Sequence, residues 1–149
     1  MAAVLWTGER WLYTVYTVSQ QLWDRFLPRE DDQIGMQELL AVPLALHTFQ
    51  SEVSGTEALC FGDNDGVVAS LIKGSNKALD TNLCVGQIWL DVNKFHIALV
   101  LARVESKANV ADDPSRDRFE FLNRVGASFI EPVMPQWVDA LWAFPVAQR

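Results

Sequence analysis

The sequence predicts an α/β domain, and three observations lead there. Ala58 to Gly62 and Ile97 to Val104 are apolar runs of strand length separated by helical periodicity, so they read as parallel strands joined by a helical crossover. Ahead of them, Ala2 to Trp6 and Trp11 to Val18 flank a short polar turn at Gly8, the pattern of an antiparallel hairpin. Between the two halves, Leu59-Cys60-Phe61-Gly62-Asp63-Asn64-Asp65-Gly66 ends a buried strand in acids just before a helical pattern begins. Negative charge therefore falls at the carboxyl edge of a sheet, where open α/β sheets build their sites.

Composition limits the possibilities. A chain of 149 residues that is 50% hydrophobic fits one domain with a real core. Six Trp and eight Phe are many for that length, so some aromatic surface is expected to serve a partner or a missing segment. Cys60 and Cys84 lack metal-ligand spacing and read as reduced core thiols of an intracellular protein, cytoplasmic or nuclear. His47 and His96 are isolated and read as structural. A net charge of −7 argues against a free-standing nucleic-acid binder, because phosphate contacts dominate that affinity. No apolar run reaches the length of a bilayer span, and the first residues lack the basic and small-residue features of a signal peptide.

Taken in order, the hairpin is followed by Ser19, a cap for a short helix through Leu22, Trp23 and Phe26 that stops before Pro28. Arg29-Glu30-Asp31-Asp32 reads as a charged loop with Asp32 as the next N-cap. From Gln33 to about Gln50, Met36, Leu39, Leu40, Leu44 and Leu46 recur at helical spacing, with Pro43 kinking the helix near Leu39. Glu38 shares a narrow stripe with Ala41, Val42 and Ala45, suited to close packing on a sheet. After the acidic turn a short helix runs to about Lys73. A longer one runs from about Leu79 to Phe95, with Val85, Ile88, Trp89 and Val92 as its buried stripe. Past the last long strand, Val110 to Arg116 reads as a helical turn and Arg118 to Val125 as a helix. The proline-bearing tail, with a short helix from Trp137 to Trp142, reads as an extension rather than core.

Three acids thus stand at element ends: Glu38, Asp63 and Asp112. Each alone has a bland explanation, as a helix-surface acid or a turn and cap residue. Together with their surroundings they resemble a family. Glu38-Leu39-Leu40-Ala41-Val42, then Asp63-Asn64, then Ser106-Lys107-Ala108-Asn109-Val110-Ala111-Asp112-Asp113-Pro114-Ser115-Arg116 look like the ribonuclease H domain of retroelement reverse transcriptases, closest to the DIRS-type and related polyproteins. The resemblance implies a ribonuclease H-like mixed sheet flanked by helices over residues 1–116, with residues 117–149 as a helical, proline-containing extension. It implies Glu38, Asp63 and Asp112 as catalytic metal ligands for Mg²⁺ or Mn²⁺, and hydrolysis of the RNA strand of RNA–DNA hybrids. Asn109, Ser115 and Arg116 frame the last acid.

The sequence departs from the family in two places. The family fold opens with a central strand carrying the first catalytic Asp, and the matching strand and acid are absent ahead of the hairpin. Pro43 lies about one turn past Glu38 and is liable to tilt it. The expectation is therefore an N-terminally truncated fold, inactive alone and binding metal weakly. Its missing strand would come from the rest of a polyprotein, from a strand-donating partner, or be replaced by self-association. The alternatives are a non-catalytic interaction protein derived from a retroelement fragment, and an acidic α/β domain unrelated to nucleic acids.

Overall fold

The computed structural model describes residues 1–26 and 34–141. β1 (Ala2–Trp6) and β2 (Trp11–Val15) pair antiparallel, in register from Ala2↔Val15 to Trp6↔Trp11. The turn between them is held by Thr7, whose hydroxyl oxygen accepts from the amides of Glu9 and Arg10. Alternation on β2 turns Leu12 and Thr14 into the core and leaves Trp11 and Tyr13 on the other face. α1 (Gln20–Trp23) begins as expected at Ser19, whose Oγ accepts from the Leu22 amide at 3.2 Å. The expected stop at Pro28, the charged loop and the Asp32 cap lie outside the described residues.

α2 (Ile34–Thr48) runs through Pro43 without interruption. A proline there removes one helical hydrogen bond, and the helix tolerates the loss because Pro43 is fully buried among leucines. The small-residue stripe is not the deepest face. Ala41, Val42 and Ala45 are half-buried, whereas Leu39, Leu40 and Leu44 are fully enclosed, because the larger side chains bury more apolar area against the core. A short α3 (Gln50–Val53) follows and was not anticipated as separate.

β3 (Glu57–Gly62), α4 (Asp65–Lys73), α5 (Leu79–Lys94) and β4 (Ala98–Arg103) form the expected crossover unit. β3 and β4 are parallel, in register from Glu57↔Ala98 to Gly62↔Arg103. At the tight exit from β3, a Cβ on Gly62 would sit 3.0 Å from Val68 Cγ2, which is why this strand end carries glycine. The cap of α4 is Asn64 rather than Asp63: its side chain accepts from the Val67 amide at 3.1 Å. Gly74, in the left-handed region at φ 73°, closes the other end. Val85, Ile88 and Val92 are buried as the periodicity predicts. Trp89 is only partly so, its indole N–H donating to the Leu71 carbonyl.

Beyond β4 come two short 3₁₀ turns (Ser106–Ala108 and Pro114–Arg116), then α6 (Glu120–Arg124), β5 (Ser128–Phe129) and α7 (Trp137–Ala140). The expectation that the tail lies outside the core fails at Val138, which is 1% exposed. β5, too short to be visible as a strand in the sequence, pairs parallel with β2. The strands form two sheets rather than one, β1-β2-β5 and β3-β4, both packed against a core centred on α2 and α5. Among the described residues, β1 and β5 of the first sheet and β3 and β4 of the second each keep one unpaired edge. No helix among the described residues is long and apolar enough to cross a membrane.

Candidate functional site

The carboxyl ends of β3 and β4 lie side by side, tied by the Val104 amide donating to the Gly62 carbonyl at 2.9 Å. Asp63 follows immediately and is half-buried. α2, which carries Glu38 in its second turn, is joined to β3 through α3. Glu38 is half-buried, with Oε2 removed from solvent. Its neighbour Gln37 lines a cleft of about 340 Å³ together with Met1, Tyr16, Trp23, Ser115 and Asp117. That places the segment around Asp112 beside the start of α2. Asp63 does not line that cleft.

The fold does not gather the three carboxylates into a cage. Among the described residues no group of three or more His, Cys, Asp or Glu side chains is placed to hold a metal ion. Asp112 is engaged elsewhere: Oδ1 accepts from Arg116 Nε at 3.2 Å, and Arg118 approaches Oδ2 at 3.9 Å. Arg118 also pairs with Asp113 at 2.9 Å. Asn109 and Ser115 shape the loop as a frame would. The Asn109 side chain accepts from the Ala111 amide, and the Ser115 hydroxyl donates to the Asp112 carbonyl at 2.6 Å. Asp65, two residues after Asp63, forms an ion pair with Arg103 at the end of β4. Arg116 holds Asp112 Oδ1 in a charge-assisted hydrogen bond, and the positive charge of Arg118 nearby disfavours a cation at the same carboxylate. As they stand, these residues do not fit a divalent metal pair.

Of the two expected core thiols, Cys84 lies in the core and Cys60 is half-buried on β3. Burial pushes the Cys60 thiol above its ordinary range, which disfavours the reactive thiolate. One polar cluster was missed. His47 on α2, Asp91 on α5 and Trp137 on α7 meet at a single carboxylate oxygen, with both contacts 2.7 Å long. Separations of 44 and 46 residues leave no local signal for such a meeting. The Asp112–Arg116 pair, by contrast, stands at the i,i+4 spacing that the sequence offered directly. Comparison of the chain with protein-family models, with curated proteins and with solved structures finds no match.

Proposed function

We propose that this chain is a ribonuclease H-like domain of retroelement descent, related to enzymes that hydrolyse the RNA strand of RNA–DNA hybrids, and that it does not cleave on its own. The observation that carries the reading is the order of elements around the three acids. A long helix carries Glu38 behind an antiparallel hairpin, and Asp63 follows the first strand of a parallel crossover pair. Asp112, tied to Arg116 and Arg118, would have to be released before it served a cation. Mg²⁺ or Mn²⁺ would then bind weakly, and the RNA–DNA hybrid would be held only with help from additional chain.

Titration with paramagnetic Mn²⁺ tests this reading, because it reports weak and transient binding. At millimolar Mn²⁺, amide signals around residues 36–40, 62–65 and 110–114 are expected to broaden together. Asp63→Asn should reduce the effect at all three. Broadening scattered over the acidic surface, indifferent to Asp63→Asn, would remove the site.

A second reading, an interaction protein that keeps the fold and not the chemistry, is favoured by a different observation. Parallel strands are ordinarily covered on both faces. Here the face of β3-β4 turned away from α4 exposes Leu59, Phe61 and Val100, each by more than half. Leu59 and Val100 are direct register partners, so the three side chains form one stripe. A strand supplied by a longer chain or a partner could cover this face or pair with an open edge of β3-β4, and without one the chain should self-associate. Light scattering is expected to show oligomers that Phe61→Glu shifts toward monomer. A monodisperse, cooperatively unfolding monomer of the unaltered chain would count against this second reading.

A further inference from the structure

The cluster that local sequence patterns do not reveal has a role separate from the acidic edge. Asp91 Oδ2 accepts one hydrogen bond from His47 Nε2 and another from the indole Nε1–H of Trp137, each 2.7 Å long. A carboxylate only accepts, so His47 must carry a proton on Nε2. The His47 ring is held edge-on to Phe95 at a centroid distance of 5.0 Å. His47 and Phe95 belong to the α2 and α5 ends of the helical body, as does Asp91. The acceptor is thus assembled without any help from the tail, oriented by one N–H and open to a second.

What docks there is residues 130–141. Ile130 donates its amide to the Tyr13 carbonyl at the end of the sheet. Beyond it, Pro132 and Pro135 carry no backbone donor, and the Val133 amide reaches only a side chain, Thr48 Oγ1, at 2.9 Å. α7 then bonds within itself and meets the body through side chains: Trp137 at Asp91, Val138 in the core, and Arg25 at Asp139. A segment with so few backbone bonds to its surroundings opens at the low end of a protein's stability range. Its fastening combines the charge-assisted Trp137 bond with the Val133–Thr48 and Arg25–Asp139 bonds and with the packing of Val138, Pro135, Ile130, Met134 and Leu141 on the body.

We propose that residues 130–141 are a releasable strap, docked by the Trp137 indole on a preformed His47–Asp91 acceptor. Its release uncovers apolar surface along α1, α2 and α5 while the helical body stays folded. The inference stands apart from the nuclease reading, since none of these residues belongs to the acidic edge.

Hydrogen exchange on the full chain tests it, comparing wild type with Trp137→Phe, which keeps an aromatic ring and removes the donor. The amides of Val133 and Leu141 are expected to exchange about ten- to a hundredfold faster, from the loss of a hydrogen bond to a charged acceptor. Amides within α5 and β4 should keep their protection. His47→Ala should loosen the same amides by removing the group that orients Asp91, and His47→Gln, which retains an N–H donor, should restore part of the protection. Unchanged exchange at Val133 and Leu141 in Trp137→Phe would show that the indole bond does not fasten the strap. Equal loss across α5, or outright failure of Trp137→Phe to fold, would show that the segment is an integral part of the core. Either result overturns the proposal.

Discussion

Given Mg²⁺ or Mn²⁺, the purified chain is expected to leave an RNA–DNA hybrid uncut, at a rate indistinguishable from buffer. Two-metal phosphodiester hydrolysis needs a pair of cations about 3.5–4 Å apart, clamping both the attacking and the leaving oxygen. Mg²⁺ demands near-octahedral oxygen ligation, so several carboxylate oxygens must converge from different elements. Among the described residues Glu38, Asp63 and Asp112 do not form such a set, and Asp112 is paired with Arg116. The shortfall against a working nuclease should be about a millionfold or more, since enzymes rarely accelerate by less. Asp63→Asn and Glu38→Gln should therefore leave the background rate as it is. Fluorescence release from a labelled hybrid checks this. Robust metal-dependent cleavage that Asp63→Asn abolishes would show that these three acids suffice.

Leu40→Ala should cost about 2–5 kcal/mol of stability, the usual range for emptying a fully enclosed leucine site. Leu40 is 0% exposed at the centre of α2, in the cluster that contains Val85 and Ile88 of α5. A loss of that size is a large share of the 5–15 kcal/mol that holds a typical domain together. Leu59→Ala is the control: Leu59 is 57% exposed on the open face of β3, and its truncation should change monomer stability by about 0.5 kcal/mol or less. Urea unfolding of both variants at low protein concentration measures the contrast. Similar losses at the two sites would mean that the open face is covered in solution.

That pair of leucines shows where sequence reasoning stops. Both lie in apolar runs of the right period, and nothing within five residues of either distinguishes enclosure from exposure. Periodicity reports which side chains share a face. Whether another layer covers that face depends on chain far away in sequence or on another molecule. The tail shows the converse case. Prolines at 132 and 135 argued for an extension, yet Val138 enters the core and Ser128–Phe129 adds a strand beside β2. Two residues of strand have no periodicity to detect, and burial of one valine needs only one well-placed contact.

The candidate site divides along the same line. The order of elements and the place of Asp63 at a strand end were legible, because strand ends, caps and helix periods are local properties; Glu38 instead lies inside α2, and Asp112 nine residues beyond β4. The engagement of Asp112 was half legible, since Arg116 stands four residues on, but the approach of Arg118 depends on how the loop closes. Asn64 rather than Asp63 caps α4, a choice that turns on backbone angles at the end of β3.

By itself, then, the sequence determined the hairpin, the helix that carries Glu38, and the parallel crossover around Asp63, because apolar spacing, turn residues and caps act over a few residues. Only the tertiary structure decided that the strands make two sheets, that Leu59, Phe61 and Val100 stay uncovered, and that Asp112 turns to arginines. Only it brought His47, Asp91 and Trp137 to one oxygen atom. These outcomes depend on which distant surfaces meet, and desolvation and charge pairing settle that over the whole chain at once.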